Sequence, residues 1–339
     1  MNIKSSIRDY QVQFETDFIK SIKTLYNPGD IIIVDSNVFS PALSDVGSYI
    51  LLDVSEQTKE FSKIADILDL IYKVPKIPFT KKNKLIAVGG GITQDAVGFI
   101  SSILFRGVDW IFYPTTLLAQ GDSCIGGKTS INFNTYKNQL GNFYPPNTII
   151  VCNSFLNTLS EADILSGLGE MLHFFLVSSY EDYLFFLTNR DSLPTLTARC
   201  LEIKRNFVEL DEFDKKERLI LNYGHTFGHA IESCTNNEVP HGVAVSLGMD
   251  IANYISYKRG YINKKLFTHL NTTLKAIYKD LLVPDIDKMI NALKQDKKNI
   301  SDKLNCVLTK GPGNMFLEEV GYNEIKNNLL KYSNCYLEV

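Results

Sequence analysis

Residues 221–232, Leu-Asn-Tyr-Gly-His-Thr-Phe-Gly-His-Ala-Ile-Glu, together with His241, hold three of the chain's five histidines. His225 and His229 stand four apart and share one face if the segment is helical. Neutral imidazole is the commonest protein ligand for a divalent metal and the natural carrier of protons near pH 7. Glu170 lies in a mostly apolar run, residues 166–175, where a carboxylate needs a partner or a metal to offset its desolvation. With His225 and His241 it makes a two-histidine, one-carboxylate set with open coordination positions, the pattern of catalytic zinc centres. His229 is then left for proton transfer, anion binding or a core role. His173, three residues after Glu170, falls on a neighbouring face.

Two glycine-bearing loops have the chemistry to hold anions. Residues 89–95, Gly-Gly-Gly-Ile-Thr-Gln-Asp, follow a buried-type strand and open a helix, whose first N–H groups and dipole suit a phosphate or pyrophosphate. The pattern is not the G-x-G-x-x-G fingerprint, and a plain strand-to-helix turn explains it equally well. Residues 114–129 follow the next strand end and carry Thr115, Thr116, Asp122 and Lys128. Gly126-Gly127-Lys128-Thr129 resembles the tail of a P-loop, but Asp122 stands where the first Walker glycine belongs, which argues against an ATPase. Asp122 and Lys128 suit a hydroxylated, phosphorylated small molecule. Lys204, Arg218, Lys297 and Lys298 add cations for a substrate bearing both carboxylate and phosphate.

These groups must be positioned by a chain of 339 residues with 45% hydrophobic and 22% charged residues and a net charge of -3, ordinary for a soluble enzyme. That balance, with no long basic run, argues against nucleic acid or an anionic membrane as partner. The six cysteines are scattered without a CxxC pair and read as reduced thiols. There is no signal-like apolar core at the start and no 18-residue apolar run, so a cytoplasmic location is expected.

Apolar runs at 30–34, 49–54, 84–88, 109–113 and 148–151 alternate with helical patterns at 57–73 and 91–101, predicting an α/β, Rossmann-like parallel-sheet domain. From residue 160 the pattern turns mainly helical, at 160–178, 197–210, 224–235, 242–259 and 285–295, with a cap supplied within 158–163. Residues 305–309 and 315–320 flank a Gly-Pro-Gly turn and can pair as strands. The expected domains are residues 1–158 and 159–339.

The ordered motifs resemble the 3-dehydroquinate synthases, members of the sugar phosphate cyclase superfamily, from about residue 30 to 312. The matching positions are the triglycine with Asp95, Arg106-Gly107, 114–119, Asp122 with Lys128, Lys137-Asn138, Glu170, Lys204, Asp211-Glu212, Arg218, Asn222 to His225, Gly228-His229, His241-Gly242 and 296–298. The resemblance implies a homodimeric enzyme that uses NAD⁺ catalytically with a divalent metal, zinc or cobalt. The implied reaction converts 3-deoxy-D-arabino-heptulosonate 7-phosphate to 3-dehydroquinate and phosphate, a step of the shikimate route to aromatic amino acids. It makes residues 1–158 an NAD-binding domain and residues 159–339 a metal- and substrate-binding domain. Glu170, His225 and His241 would hold the metal. Asp35, Glu56, Lys59, Gly90, Gly91, Asp95, Thr115, Thr116, Lys137, Thr158 and Leu159 would surround NAD⁺. Lys128, Asn222, His229 and Lys297 or Lys298 would grip phosphate, with Arg106 reaching in from a second subunit. Lys204 and Arg218 would take the carboxylate, and Asp122 and Asn138 the hydroxyls. Two positions depart from the family's pattern. His173 stands where lysine is usual near the substrate hydroxyls, and Gln94 stands where glycine is usual, narrowing a pyrophosphate's approach. A paralogous cyclase with altered substrate is the alternative that His173 raises, and a metal- and NAD-dependent polyol dehydrogenase is a more distant one.

Overall fold

Ile31, Ile32, Ile33 and Val34 have no exposed surface, as expected where an unbroken apolar run is covered on both faces of a parallel sheet. The computed structural model describes residues 1–134, 136–295 and 303–337, the side chains of 335–337 excepted. These form two compact units, Met1–Leu159 with Lys204–Phe213, and Ser160–Ile203 with the chain from Asp214 onward.

The first unit contains β1 (Asn2–Ile3), β2 (Tyr10–Glu15), α1 (Phe18–Leu25), β3 (Ile31–Asp35), β4 (Tyr49–Leu52), α2 (Phe61–Lys73), β5 (Leu85–Gly89), α3 (Gly91–Ile103), β6 (Trp110–Pro114), β7 (Lys128–Phe133), β8 (Tyr136–Phe143) and β9 (Thr148–Cys152). The sheet order is β1-β2-β9-β6-β5-β3-β4, parallel throughout except for β1 against β2. The strand order reverses at β3: β4 lies on one side of it and β5 on the other. In open α/β sheets ligands bind beyond the carboxyl ends of strands at such a switch point. Here those ends are Asp35 and Gly89. One face of the sheet presents Ile32, Val34, Ile86, Val88, Ile111, Tyr113 and Ile150 to Phe18, Ile22 and Leu43. Each fully buried side chain of this size contributes roughly 1.5–3 kcal/mol.

The second unit contains α4 (Glu161–Ser178), α5 (Tyr180–Thr188), α6 (Leu193–Leu210), α7 (His225–Cys234), α8 (His241–Lys258), α9 (Lys264–Tyr278), α10 (Ile286–Gln295), β10 (Lys303–Thr309), β11 (Met315–Gly321) and α11 (Tyr322–Leu337), with the end of α6 grouped in the first unit. The expected β10–β11 pairing is present and antiparallel. Within the expected stretch, Ser160 caps α4 by accepting from the Asp163 N–H, and Glu161 and Asp163 favour the positive end of the helix.

Several elements were not anticipated. β2 is a half-exposed strand beside β9. The hairpin β7–β8 occupies part of what reads as a loop, and α5, α9 and α11 carry weak or polar patterns. The described cysteines Cys124, Cys152, Cys200, Cys234 and Cys306 are free thiols. Among the described residues no helix is long and apolar enough to cross a membrane.

Candidate active site

The second unit assembles its histidine cluster from three helices. α4 and α8 approach so closely that a Cβ at Gly242 would lie 1.8 Å from the Ser166 carbonyl oxygen, and one at Gly169 would lie 2.2 Å from the Gly242 carbonyl oxygen. Only glycine permits this crossing, and it sets Glu170 beside His241. The Ser166 hydroxyl accepts from the Gly242 N–H at 3.0 Å, fixing the first turn of α8. α7 begins after Gly224, which sits at φ 80°, where a Cβ would meet Met249 at 2.4 Å. That left-handed turn launches His225.

Glu170 is 2% exposed. Its Oε1 lies 3.5 Å from His225 Nε2 and its Oε2 lies 3.6 Å from His241 Nε2. Both distances exceed a good hydrogen bond. They approach the edge of a tetrahedron about 3.4 Å long that bonds of about 2.0–2.1 Å would define around zinc. Glu170 Oε2 is buried and accepts no hydrogen bond among the described residues. Donor atoms of Glu170, His225 and His241 lie within 4.8 Å of one another. One carboxylate and two imidazoles, close but not bonded to each other, fit a divalent metal. Burial alone would raise the Glu170 carboxyl, but His225, His173 and His241 outweigh it and hold the group below the usual carboxylate range.

Around this triad, His173 is 1% exposed, with Nδ1 3.7 Å from Glu170 Oε1 and its ring edge-on to His225 at 4.9 Å between centroids. His229 stacks near His241 at 5.6 Å and lies as far from His225. Its ring reaches solvent, yet the protein around it, followed by His225 and His241, lowers its pKa. Arg218 is 4% exposed, and the Asn222 amide donates to the Leu219 carbonyl at 2.9 Å, closing the turn that precedes α7. Lys297 and Lys298 lie outside the described residues.

The first unit gathers two further groups. At the switch point, Gly90 caps α3 without a side chain, so the helix's first N–H groups have no side-chain competitor. A Cβ on Gly91 would find nothing nearer than Ser123 Oγ at 3.9 Å, so the loop has room for a ligand against the backbone. Asp35 ends β3, and its carboxylate accepts from the Asn37 N–H and side-chain amide. Lys59 Nζ donates to Asp95 Oδ2 at 2.6 Å and to Asn138 Oδ1 at 2.5 Å. Asn138 is thus joined to the Lys59–Asp95 pair. Asn132 donates to Glu56 at 2.8 Å. Thr115 is buried, the Thr116 hydroxyl caps the turn at Ala119, and Thr158 donates to the Phe155 carbonyl beside half-buried Leu159. Lys137 is exposed on β8. The Gln94 amide donates to the Ser123 carbonyl at 2.6 Å and its Oε1 accepts from the Ser123 hydroxyl at 2.7 Å.

The second group centres on Asp122, in a π-helical turn, Ala119–Ser123, a form that recurs at functional sites. Lys204 Nζ contacts Asp122 Oδ1 and the Asp122 carbonyl oxygen, each at 2.6 Å. Lys128 is exposed at the start of β7. Arg106 is exposed, at φ 62° between Phe105 and Gly107, which also have positive φ.

Sequence reasoning passed over Gln94's bond to Ser123 and also Glu232. The latter is seven residues after His225 and three after His229, on the same helical stripe, and that spacing was the available signal.

Solved sugar phosphate cyclases share this fold. A crystal structure of 2-deoxy-scyllo-inosose synthase, complexed with carbaglucose-6-phosphate, NAD⁺ and Co²⁺, matches with a TM-score of 0.86 at 23% identity, covering 98% of this chain and 99% of that one. The family model described as 3-dehydroquinate synthase N-terminal matches residues 49–166, and the C-terminal model matches residues 169–299. The 3-dehydroquinate synthase of Alkaliphilus metalliredigens is 36% identical over 277 residues, covering 78% of this chain and 77% of its own. That of Dictyoglomus turgidum is 33% identical over 330 residues, covering 94% and 89%. The chain belongs to the 3-dehydroquinate synthase family, a family of phosphate-eliminating carbon–oxygen lyases.

Proposed function

We propose that this chain converts 3-deoxy-D-arabino-heptulosonate 7-phosphate to 3-dehydroquinate and phosphate, with bound NAD⁺ and a divalent metal, zinc or cobalt. The observation that carries this is the spacing of Glu170, His225 and His241, which suits a metal and leaves room for a substrate oxygen. When bound, the metal supplies Lewis acidity and NAD⁺ a reversible hydride acceptor, so the cofactor ends each cycle unchanged.

The chain's own residues bind and orient. Glu170, His225 and His241 are the metal ligands. Asp35, Glu56, Lys59, Gly90, Gly91, Asp95, Thr115, Thr116, Lys137, Thr158 and Leu159 would form the NAD⁺ site of the first unit, and the N-terminus of α3 would receive the pyrophosphate. Asp122, Lys128, Asn138 and Lys204 are the first unit's groups toward substrate, His173, Arg218, Asn222 and His229 are the second's, and Arg106 is contributed by a second subunit. Lys297 and Lys298 are assigned to phosphate by resemblance alone. The groups toward carboxylate, Lys204 and Arg218, favour an acidic sugar phosphate over a neutral one. The protein is proposed to act as a cytoplasmic homodimer on the shikimate route.

His173 favours a second reading, a cyclase for a different sugar phosphate, because a buried imidazole reaches less far than lysine toward substrate hydroxyls. The test is phosphate release by metal-loaded protein with NAD⁺, offered the heptulosonate phosphate or neutral hexose and heptose phosphates. Release with dehydroquinate formation from the first supports the proposal. Turnover of a neutral sugar phosphate alone overturns it. His225→Ala is expected to lose both metal and turnover.

A further inference from the structure

The two ligand histidines present the same ring nitrogen to Glu170 and turn the other toward an acceptor. His225 Nδ1 lies 3.3 Å from the Tyr223 carbonyl oxygen, and its Nε2 faces Glu170. His241 Nε2 also faces Glu170, but its Nδ1 lies 3.1 Å from Glu232 Oε2, a carboxylate seven residues along α7 from His225. We propose that Glu232 is a positioning residue of the metal centre. Accepting the Nδ1 proton fixes the His241 tautomer and ring plane, so that the lone pair of Nε2 points at the site shared with Glu170. This rests on the metal-site reading above.

Tautomer control matters more at His241 than at His225. His225 is tied to a backbone carbonyl two residues away, whereas His241 opens α8 and is about one-third exposed. Without an acceptor on Nδ1, the imidazole exchanges tautomers and rotates, and each population with a proton on Nε2 cannot bind metal. A carboxylate acceptor also raises the basicity of the ligating nitrogen, which a neutral carbonyl does less well.

The alternative use of Glu232 is as a ligand itself, since donor atoms of His229, Glu232 and His241 also lie within 4.8 Å of one another. A second metal there, with the first in place, would need both nitrogens of His241 deprotonated. The Nδ1–Oε2 separation is that of a hydrogen bond, and one proton satisfies both groups.

The experiment is equilibrium titration of the full-length apoprotein with Zn²⁺ against a chromophoric chelator, and with Co²⁺ read by its visible ligand-field bands. Wild type, Glu232→Ala, Glu232→Gln and His241→Ala are compared. Wild type is expected to bind one metal per chain. Glu232→Ala is expected to weaken binding about 10- to 100-fold and alter the Co²⁺ bands, while Glu232→Gln, which keeps a neutral acceptor, falls between. NAD⁺ binding and far-UV circular dichroism report whether each variant is folded. Loss of metal affinity with both intact is the supporting result. Zn²⁺ affinity of Glu232→Ala within threefold of wild type, or two metals per wild-type chain of which Glu232→Ala loses one, overturns the proposal. Failure of wild type to bind any metal overturns the metal site as well, and is distinguishable from either.

Discussion

Lys204 Nζ lies 2.6 Å from Asp122 Oδ1, joining residues 82 positions apart within the first unit. The Lys204 and Asp122 side chains are 6% and 19% exposed. Removing one partner of such a pair strands a desolvated charge. Lys204→Met is expected to cost about 3 kcal/mol, at the low end for a broken buried pair because Asp122 keeps some water. Urea unfolding of Lys204→Met, Asp122→Asn and the double variant is the measurement. The double is expected to be less destabilised than the sum of the singles, and simple additivity would show the two side chains uncoupled.

The Lys204–Asp122 pair also shows where the sequence stops being legible. The central strands were readable because Ile31 to Val34 and Leu85 to Val88 are continuous apolar runs. The clustering of Glu170, His225 and His241 was readable because few residue types combine at such spacing. Which unit holds Lys204 was not, since the end of α6 groups with the first unit and a window of local sequence carries no such information. β2 and the β7–β8 hairpin went unseen because they are polar and half exposed, stabilised by partners distant in sequence. Gln94's hydrogen bonds to Ser123 went unseen because the two residues stand 29 apart in the chain.

Gly91 separates ligand binding from folding. A methyl group there has 3.9 Å to its nearest neighbour, so Gly91→Ala is expected to leave the melting temperature unchanged or slightly higher. The same methyl occupies space over the first turn of α3, and NAD⁺ affinity is expected to fall at least tenfold by calorimetry. Unchanged affinity would place the pyrophosphate elsewhere.

His173 packs edge-on against His225 and lies close to Glu170. Lysine at this position carries a longer, fully charged side chain. His173→Lys is expected to hold or raise kcat/KM on the heptulosonate phosphate. A large loss would mean that the pocket is fitted to the imidazole.

Asp182 supplies a pH test away from the site. Burial alone would raise its pKa, but the Ser178 hydroxyl, the Arg199 guanidinium and the Ser179 hydroxyl outweigh it, so the folded value lies below the ordinary 3.8. The unfolded chain therefore binds this proton more tightly. The stability contributed is fully present above about pH 4 and is lost as pH falls through the folded value. Asp182→Asn is expected to flatten the stability curve below about pH 4 while lowering its plateau. An unchanged acid slope would show that Asp182 is not linked to folding.

The proposed reaction makes NAD⁺ a recycled catalyst in a phosphate-eliminating cyclisation. The direct measurement is product per cofactor: metal-loaded protein with NAD⁺ equimolar to protein and excess heptulosonate phosphate, following phosphate, dehydroquinate and absorbance at the reduced nicotinamide band. Many equivalents of phosphate and dehydroquinate per NAD⁺, in equal amounts and without steady accumulation of NADH, are predicted. Stoichiometric NADH with no phosphate release would instead make the protein a dehydrogenase and contradict the account.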